Sequence, residues 1–242
     1  MSKKDKKIRS IVAFIILFLS FIYMNYSDKI NSFINNIIPL GYTYASSIED
    51  IGEYNGNGYV ILNDNKTYFT DIEKENTNSY QKFSELDLLG RCGVAEANIS
   101  YDMMPTKERE SIGMIKPSGW HTVKYDIVDG KYLYNRCHLI GYQLTGENAN
   151  PLNLITCTRQ MNTKSMLEFE NKVSKYIKET NNHVLYRVTP IFKDTDLVAY
   201  GVEIEAYSVE DNGKGIEFNV FIYNVQDGIN INYHDGESSL IG

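Results

Sequence analysis

One histidine and three polar side chains that could carry out chemistry lie in the stretch 132–173. They are His138, Asn153, Asn162 and Glu170. A neutral imidazole accepts a proton near neutral pH, so His138 is a candidate general base. Amide and carboxylate oxygens are the ligands that a hard divalent cation such as Mg²⁺ prefers. A single histidine among several oxygen donors therefore suits a metal-dependent nuclease.

The sequence around these residues predicts two strands followed by a helix. A short apolar run at 132–134 ends in the polar residues 135–138, and a loop rich in turn residues spans 145–151. Residues 152–158 form a second β-type run. From Gln160 onward the apolar residues recur at helical spacing, at Met166, Phe169, Val173 and Ile177. This layout would present the four candidate residues from neighbouring elements.

Further strands are predicted on both sides of this stretch. The runs typical of strands are 59–62, 93–98, 184–192, 197–208 and 216–225. The linkers between the last three are too short for a crossover helix, which predicts antiparallel pairing. The segment 79–89 has some helical character, and 101–119 is a loop long enough to suggest function.

The N-terminal part of the chain has the composition of a membrane anchor. Residues 1–10 form a basic flank that is predicted to be cytoplasmic, and 11–27 form an apolar segment, either a signal anchor or a cleaved signal peptide. Residues 28–57 are predicted to be a linker, 58–228 the working domain and 229–242 a loose C-terminal tail. We therefore expect a single-pass transmembrane helix with the domain outside the membrane, or a secreted protein if the segment is cleaved.

Charge and cysteine content limit the possible partners and cofactors. The net charge of −7 argues against a nucleic-acid partner, but 131–193 carry nine Lys and Arg against four Asp and Glu, and 194–242 carry ten acids against Lys214. A basic face of this kind is compatible with phosphate binding, and a solvated helix face is the alternative. Three cysteines would allow one disulfide and one free thiol, with the pairing left open. The chain has no CxxC spacing, so its cysteines do not predict a structural zinc site.

Several motifs in order resemble one enzyme family. They are Asn135-Arg136-Cys137-His138, Asn150-Pro151-Leu152-Asn153, Asn162 on the following helix, Glu170 eight residues later, and the segments 90–95, 104–106, 117–120 and 184–190. Together they resemble the DNA/RNA non-specific endonucleases, the ββα-metal or His-Me finger nucleases, across residues 59–225. The resemblance implies an α+β fold with a central antiparallel sheet flanked by helices and a ββα-metal motif at the active site.

The resemblance also implies a role for each candidate residue. His138 would be the general base, supported by a hydrogen bond from Asn153 to its other ring nitrogen. Asn162 would be the one direct protein ligand of Mg²⁺, with Mn²⁺ as the alternative, and Glu170 would orient water bound to that metal. The substrate would be DNA, RNA or both, and the sequence leaves the oligomeric state open.

Three arginines are candidate substrate contacts. Arg136 and Arg159 could bind phosphate through their planar donor forks, with salt bridges as the alternative. Arg109, in the long loop, is a further candidate for substrate binding. Trp120, close by in the sequence, could stack on a base.

Two positions depart from the family motif, which has Asp and Gly where this chain has Asn135 and Cys137. Asn135 can still accept a hydrogen bond, and Cys137 is consistent with a disulfide or a packed small residue.

Two other functions are alternatives to a nuclease. The first is a thiol hydrolase that uses Cys137 or Cys157 with His138, although adjacent strand residues point to opposite faces. The second is a non-catalytic surface protein that binds nucleic acid on a nuclease scaffold.

Overall fold

Residues 51–242 are the part of the chain that the computed structural model describes, and a six-stranded antiparallel sheet lies at their centre. Its strand order is β1-β8-β7-β6-β3-β2. The bounds are β1 Tyr59–Ile61, β2 Tyr80–Phe83, β3 Ala95–Ile99, β6 Val184–Ile191, β7 Gly201–Ser208 and β8 Glu217–Tyr223. The longest strands, β6 to β8, are adjacent and antiparallel, as their sequence predicts.

The main helix packs against one face of this sheet. Helix α3 spans Leu167–Thr180 and ends at Asn181, which has a left-handed backbone conformation. Its buried side chains Phe169, Val173 and Ile177 share one core cluster with side chains from β6, β7 and β8. The helical spacing seen in the sequence is therefore the spacing of residues that face the sheet. Two shorter helices are α1, Asp71–Lys74, and α2, Tyr142–Thr145.

The other face of the sheet contains a buried ionic network. Arg187 on β6 lies opposite Glu96 on β3 and Glu205 on β7 in the strand register. Its guanidinium nitrogens lie 2.8 Å from Glu96, 3.2 Å from Glu205 and 2.7 Å from Glu73. The same group lies 4.3 Å from the ring centroid of Phe69. Three carboxylates and one aromatic ring thus compensate the positive charge of Arg187 in the middle of the sheet.

A separate two-stranded sheet carries the first half of the candidate site. Strand β4, Tyr134–His138, pairs antiparallel with β5, Leu154–Thr158. A disulfide between Cys137 and Cys157 joins the two strands, and Cys92 is a buried free thiol. Both bridged cysteines belong to the same core cluster as the face of α3 that packs on the large sheet. The hairpin is therefore held by the core as well as by its own hydrogen bonds.

Three sequence predictions need correction. Segment 79–89 is not helical, because Tyr80–Phe83 forms β2 at the edge of the sheet against β3. The first strand of the site begins at Tyr134, two residues later than predicted. The C-terminal residues do not form a loose tail: β9, Ile229–Ile231, and β10, Ser238–Leu240, form a hairpin. This hairpin is fixed by a hydrogen bond from the Tyr134 hydroxyl to the carbonyl of Gly236.

The predicted cytoplasmic flank and apolar segment, and most of the predicted linker, lie outside the described residues. Within residues 51–242, no helix is long and apolar enough to cross a membrane.

Candidate active site

His138 is the last residue of β4, and its imidazole is almost completely buried, with 6% of the residue exposed. Its Nε2 atom lies 2.7 Å from the carbonyl oxygen of Asn148. Because a carbonyl only accepts hydrogen bonds, we assign the ring hydrogen to Nε2, which leaves the lone pair on Nδ1. The Nδ1 atom lies 3.4 Å from Nη2 of Arg109. The ring is thus oriented by a main-chain carbonyl and faces a cation.

The surroundings of His138 favour its neutral form. Burial lowers the pKa of His138 to about 4, and the positive charge of Arg109 acts in the same direction, whereas the Asn148 carbonyl opposes both. The imidazole is therefore neutral at physiological pH, and its unprotonated nitrogen is Nδ1, the atom that faces Arg109.

The structure contradicts the predicted hydrogen bond between Asn153 and the imidazole. Asn153 is fully buried, and both ends of its carboxamide bind the main chain of Ile140, with Oδ1 accepting at 2.9 Å and Nδ2 donating at 3.0 Å. Its own carbonyl accepts from the Leu139 amide at 2.9 Å. Asn153 therefore fixes the two residues that follow His138, and the carbonyl of Asn148 takes the place on the imidazole that was predicted for Asn153.

Asn162 lies in an unusual turn at the start of the main helix. Residues Met161–Met166 form a π-helical segment that leads directly into α3. A π turn is less stable than an α turn and often marks a functional position. The Asn162 carboxamide lines the clefts on either side of Arg109 and makes no hydrogen bond to any of the residues 51–242. Its amide oxygen is therefore a candidate metal ligand beside His138.

Glu170, in the first turn of α3, brings a carboxylate to the same cleft. Gln143 donates a hydrogen bond to its Oε2 atom at 3.2 Å. The carboxylate packs so closely on Gly141 that a Cβ atom there would lie 2.7 Å from its Cδ and Oε2 atoms. Burial raises the pKa of Glu170 to about 7, although the Gln143 hydrogen bond and the charge of Arg109 lower it. The Glu170 carboxylate is thus packed tightly against Gly141, and burial there destabilises its ionised form.

The three candidate arginines have different surroundings. Arg136 donates to the carbonyls of Gly113, at 2.8 Å, and Ile115, and its guanidinium lies 3.9 Å from the Trp120 ring centroid. Arg159 forms a salt bridge with Asp129 at 3.0 Å. Arg109 is exposed, and its Nη2 atom lies 3.4 Å from Nδ1 of His138.

Two clefts meet between Arg109 and Asn162, which line both of them. We call the cleft that contains His138 the catalytic cleft; it has a volume of about 290 Å³. Its wall includes Arg109, His138, Gly141, Gln143, Asn162 and Glu170. The second, of about 460 Å³, contains Arg136, Arg159 and Trp120. The structure thus brings the sequence candidates His138, Asn162, Glu170 and Arg109 together in one cleft, and it places Arg136 and Arg159 in the adjoining one.

Sequence reasoning did not identify Gly141, Gln143 or Asn148 as members of the site. Gly141 follows His138 by three residues, so its closeness to the base was visible, but its contact with Glu170 depends on how the helix packs. Asn148 acts through its main-chain carbonyl, which every residue has. The thiol hydrolase alternative is wrong, because Cys137 and Cys157 are joined in a disulfide and neither is a free nucleophile.

The chain is similar in sequence and fold to known nucleases. Residues 71–210 match the family described as DNA/RNA non-specific endonuclease. The structure of NucA from Streptococcus agalactiae with a magnesium ion bound is 30% identical, with 76% of this chain and 87% of that chain covered and a TM-score of 0.67. The structure of Sda1 nuclease with a bound zinc ion is 26% identical, with 81% of this chain and all (100%) of that chain covered and a TM-score of 0.62.

The fold and the cleft chemistry, with these matches, define a hydrolase of nucleic acids. The chain belongs to the DNA/RNA non-specific endonuclease family and is an endonuclease. The family and the mixed α/β fold with a central antiparallel sheet were both predicted from the sequence, and both predictions are confirmed.

Proposed function

We propose that the protein is an extracytoplasmic, metal-dependent endonuclease that cleaves phosphodiester bonds in DNA, RNA or both without sequence preference. The observation that carries this proposal is the shared cleft: His138, whose Nδ1 lone pair faces Arg109, lines the same cleft as Asn162, whose carboxamide makes no hydrogen bond within residues 51–242. A base and an oxygen donor on one side of a cationic cleft are what hydrolysis of a phosphodiester requires.

His138 is the proposed general base. Hydrolysis forms a bond from water oxygen to phosphorus and breaks the bond from phosphorus to the leaving oxygen, and the proton of the attacking water has to go to a base. Nδ1 would accept that proton while the Nε2 hydrogen bond to Asn148 holds the ring. Asn153 is proposed as a positioning residue, because it fixes the main chain directly after His138.

Arg109 is proposed to bind the substrate phosphate. In this structure its guanidinium covers Nδ1 of His138 at 3.4 Å. A phosphate entering the cleft offers a full negative charge, which a guanidinium binds more strongly than a neutral ring nitrogen. Movement of Arg109 toward the phosphate would uncover Nδ1 for the attacking water, so substrate binding and exposure of the base would be coupled.

A divalent cation fits the donor set around Asn162. Within residues 51–242, no group of three or more His, Cys, Asp or Glu side chains could hold a metal ion. A metal in this site would therefore have few protein ligands. Mg²⁺ accepts such a site, because it keeps several waters and binds few protein oxygens together with substrate phosphates. We propose Asn162 as the protein ligand of Mg²⁺, with Mn²⁺ as the alternative, and the structure of NucA with a magnesium ion bound supports this proposal. The bound cation would supply positive charge against the charge that develops on the phosphate.

The remaining candidates are proposed to support these groups. Glu170 would accept hydrogen bonds from water in the catalytic cleft, next to Asn162. Arg159 would add positive charge in the adjoining cleft, tempered by its salt bridge to Asp129. Arg136 is held by two carbonyls and contributes charge and a flat surface beside the site.

The extracytoplasmic location rests on two features of the chain. Its sequence begins with a basic flank followed by an apolar segment, which is typical of a signal anchor or signal peptide. The disulfide between Cys137 and Cys157 is a bond that persists in oxidising compartments and is rare in the cytosol. We propose that the apolar segment attaches the nuclease domain to the outer side of the membrane, or exports it.

The test is cleavage of single- and double-stranded DNA and RNA by the purified full chain with Mg²⁺, with Mn²⁺ and with EDTA. We expect cleavage with Mg²⁺ and none with EDTA, and a loss of roughly 10²- to 10⁴-fold in His138→Ala. Asn162→Ala should require a higher Mg²⁺ concentration. The matched control is His121→Ala, which removes a histidine outside both clefts. Cleavage that persists in EDTA or in His138→Ala would refute the mechanism.

A further inference from the structure

The cleft beside the catalytic cleft has walls that suit a planar, unsaturated ligand. We call it the stacking cleft; six of its lining residues are Arg109, Trp120, Tyr132, Asn135, Arg136 and Asn162. Its volume of about 460 Å³ lies in the range of small-molecule sites. Because it shares Arg109 and Asn162 with the catalytic cleft, a group bound here would lie next to a phosphate bound there.

Arg136 provides a flat surface that is fixed before any ligand arrives. One side of its guanidinium lies over the Trp120 ring, 3.9 Å from the centroid. Its Nε and Nη2 atoms already donate to the carbonyls of Ile115 and Gly113. A side-on contact with phosphate through Nε and Nη2 would need those same donors, and the side of the guanidinium plane opposite Trp120 can stack on a flat ligand.

Tyr132 provides an accessible aromatic ring in the same cleft. The residue is 48% exposed, and the Nζ atom of Lys124 lies 4.4 Å from its ring centroid. A tyrosine that is half exposed and lines a cleft has a ring available for stacking, unlike the buried tyrosines of the core. Its location beside three arginines matches the combination of aromatic rings and positive charge that binds unpaired nucleic acid.

Asn135 adds a hydrogen-bond donor without a partner. Asn135 lines the stacking cleft, its Nδ2 atom is buried, and no residue within 51–242 accepts a hydrogen bond from it. Buried polar atoms are nearly always paired, so a rotation of this side chain that brings the amide to an acceptor on a bound ligand would be favoured. Nucleobases carry ring nitrogens and carbonyl oxygens that accept hydrogen bonds.

We propose that the stacking cleft binds the nucleobase next to the cleaved phosphate, and that the enzyme therefore prefers unpaired nucleic acid. This inference rests on the proposed nuclease function. A base can enter the cleft only after it leaves its neighbours in the stack, which costs free energy in a duplex and little in a single strand. The specificity is for strandedness rather than for sequence, because every base has a flat face.

The sequence supplies a direct reporter for this site. Trp120 is the single tryptophan of the chain and lines the stacking cleft. We would titrate the full chain in EDTA with adenosine 5′-monophosphate, and in parallel with ribose 5-phosphate, which has the same sugar and phosphate without the base. Quenching of Trp120 fluorescence by the nucleotide and not by the sugar phosphate is expected. No cleavage takes place in this measurement, so its result does not depend on the nuclease mechanism.

Two variants of one residue separate stacking from hydrogen bonding. Tyr132→Leu removes the ring and keeps an apolar side chain, and we expect it to bind the nucleotide roughly 5- to 150-fold more weakly. Tyr132→Phe keeps the ring and should bind like the wild type. The control for surface loss is Tyr101→Leu, which removes another exposed tyrosine outside both clefts. In cleavage assays with Mg²⁺, a single strand should be cut about tenfold faster or more than the same sequence as a duplex.

Each outcome bears on a different part of the proposal. A lack of base-dependent quenching, or equal binding by Tyr132→Leu and the wild type, would overturn the subsite. Equal cleavage rates on single strand and duplex would overturn the preference for unpaired nucleic acid. Base-dependent quenching without metal-dependent cleavage of any substrate would support the subsite while refuting the proposed nuclease mechanism on which the cleavage assay depends.

Discussion

Replacing Glu170 with Gln should stabilise the protein at alkaline pH while impairing cleavage. The carboxylate of Glu170 is packed against Gly141 and receives one hydrogen bond from Gln143, so few groups compensate its charge. Burial accordingly raises the pKa of Glu170 from its ordinary value of 4.5 to about 7. A carboxyl group that resists ionisation in the folded state penalises folding wherever the pH forces it to ionise.

The size and sign of the effect follow from the two pKa values of Glu170. A rise from 4.5 to about 7 corresponds to about 3 kcal/mol of folding free energy. The wild type has its full stability from this group below pH 4.5, where the Glu170 carboxyl is protonated in both the folded and the unfolded state. It loses that contribution as the pH rises through about 7. Gln does not titrate, so the stability of Glu170→Gln relative to the wild type should increase by about 3 kcal/mol between pH 4 and pH 8.

The assay is urea unfolding of both proteins in EDTA at several pH values. His138 titrates in both proteins, and its lowered pKa makes both less stable at acid pH, so the difference between them isolates the carboxyl group. Addition of Mg²⁺ at pH 8 should stabilise the wild type more than Glu170→Gln, because a nearby cation favours the ionised carboxylate. Cleavage by the variant should fall. Parallel stability curves for the two proteins across this pH range would refute the argument.

Three further predictions concern the packing around the site. Gly141→Ala should displace the Glu170 carboxylate and reduce cleavage about tenfold or more, with the circular dichroism spectrum unchanged, because a Cβ atom would lie 2.7 Å from that group. Replacing Cys137 and Cys157 together with Ala should lower the free energy of unfolding by about 3 kcal/mol, as expected for a bridge that closes a loop of this length. Arg187→Met should lower it by about 3–5 kcal/mol, because the variant removes the buried cation that Glu96 and Glu205 share.

Each of these variants has a matched control. Gly113→Ala adds a methyl group that meets only ordinary contacts, and it should cleave far better than Gly141→Ala. Cys92→Ala removes the free thiol and leaves the disulfide intact, so its loss of stability should be the smaller one. Lys172→Met breaks an exposed ion pair and should change the unfolding free energy by less than about 1 kcal/mol. Equal effects in a variant and its control would contradict the corresponding prediction.

The fold was predictable where the sequence pattern is long. Strands β6 to β8 each extend over seven or eight residues, and their short linkers leave antiparallel pairing as the remaining choice. Strand β2 was missed because its four residues, Tyr80–Phe83, lie at an edge, and half of them are polar and exposed. Pairing with β3 decides their conformation, and that partner is a property of the fold. The C-terminal hairpin was missed for the same reason, since each of its strands has three residues.

Within the site, residue types were predictable and their hydrogen-bond partners were not. The carboxamide of Asn153 could have bound either the imidazole of His138 or a nearby main chain. The Ile140 main chain offers a donor and an acceptor at once, so both ends of the buried amide are satisfied there, whereas an imidazole could satisfy one. A carbonyl such as that of Asn148 leaves no trace in the sequence, because its position depends on how the loop folds.

The start of the main helix explains how one segment serves both the core and the cleft. In a regular α-helix, Asn162 and Glu170 would lie about 80° apart around the axis. The π segment Met161–Met166 has more residues per turn, so Asn162 is rotated relative to the α-helix that follows, and both side chains line the catalytic cleft. Phe169 and Val173 can then keep the helical spacing that buries them against the sheet. A single α-helical period would not direct Asn162 to the cleft and also bury Phe169 and Val173 against the sheet. The change from π to α geometry allows both.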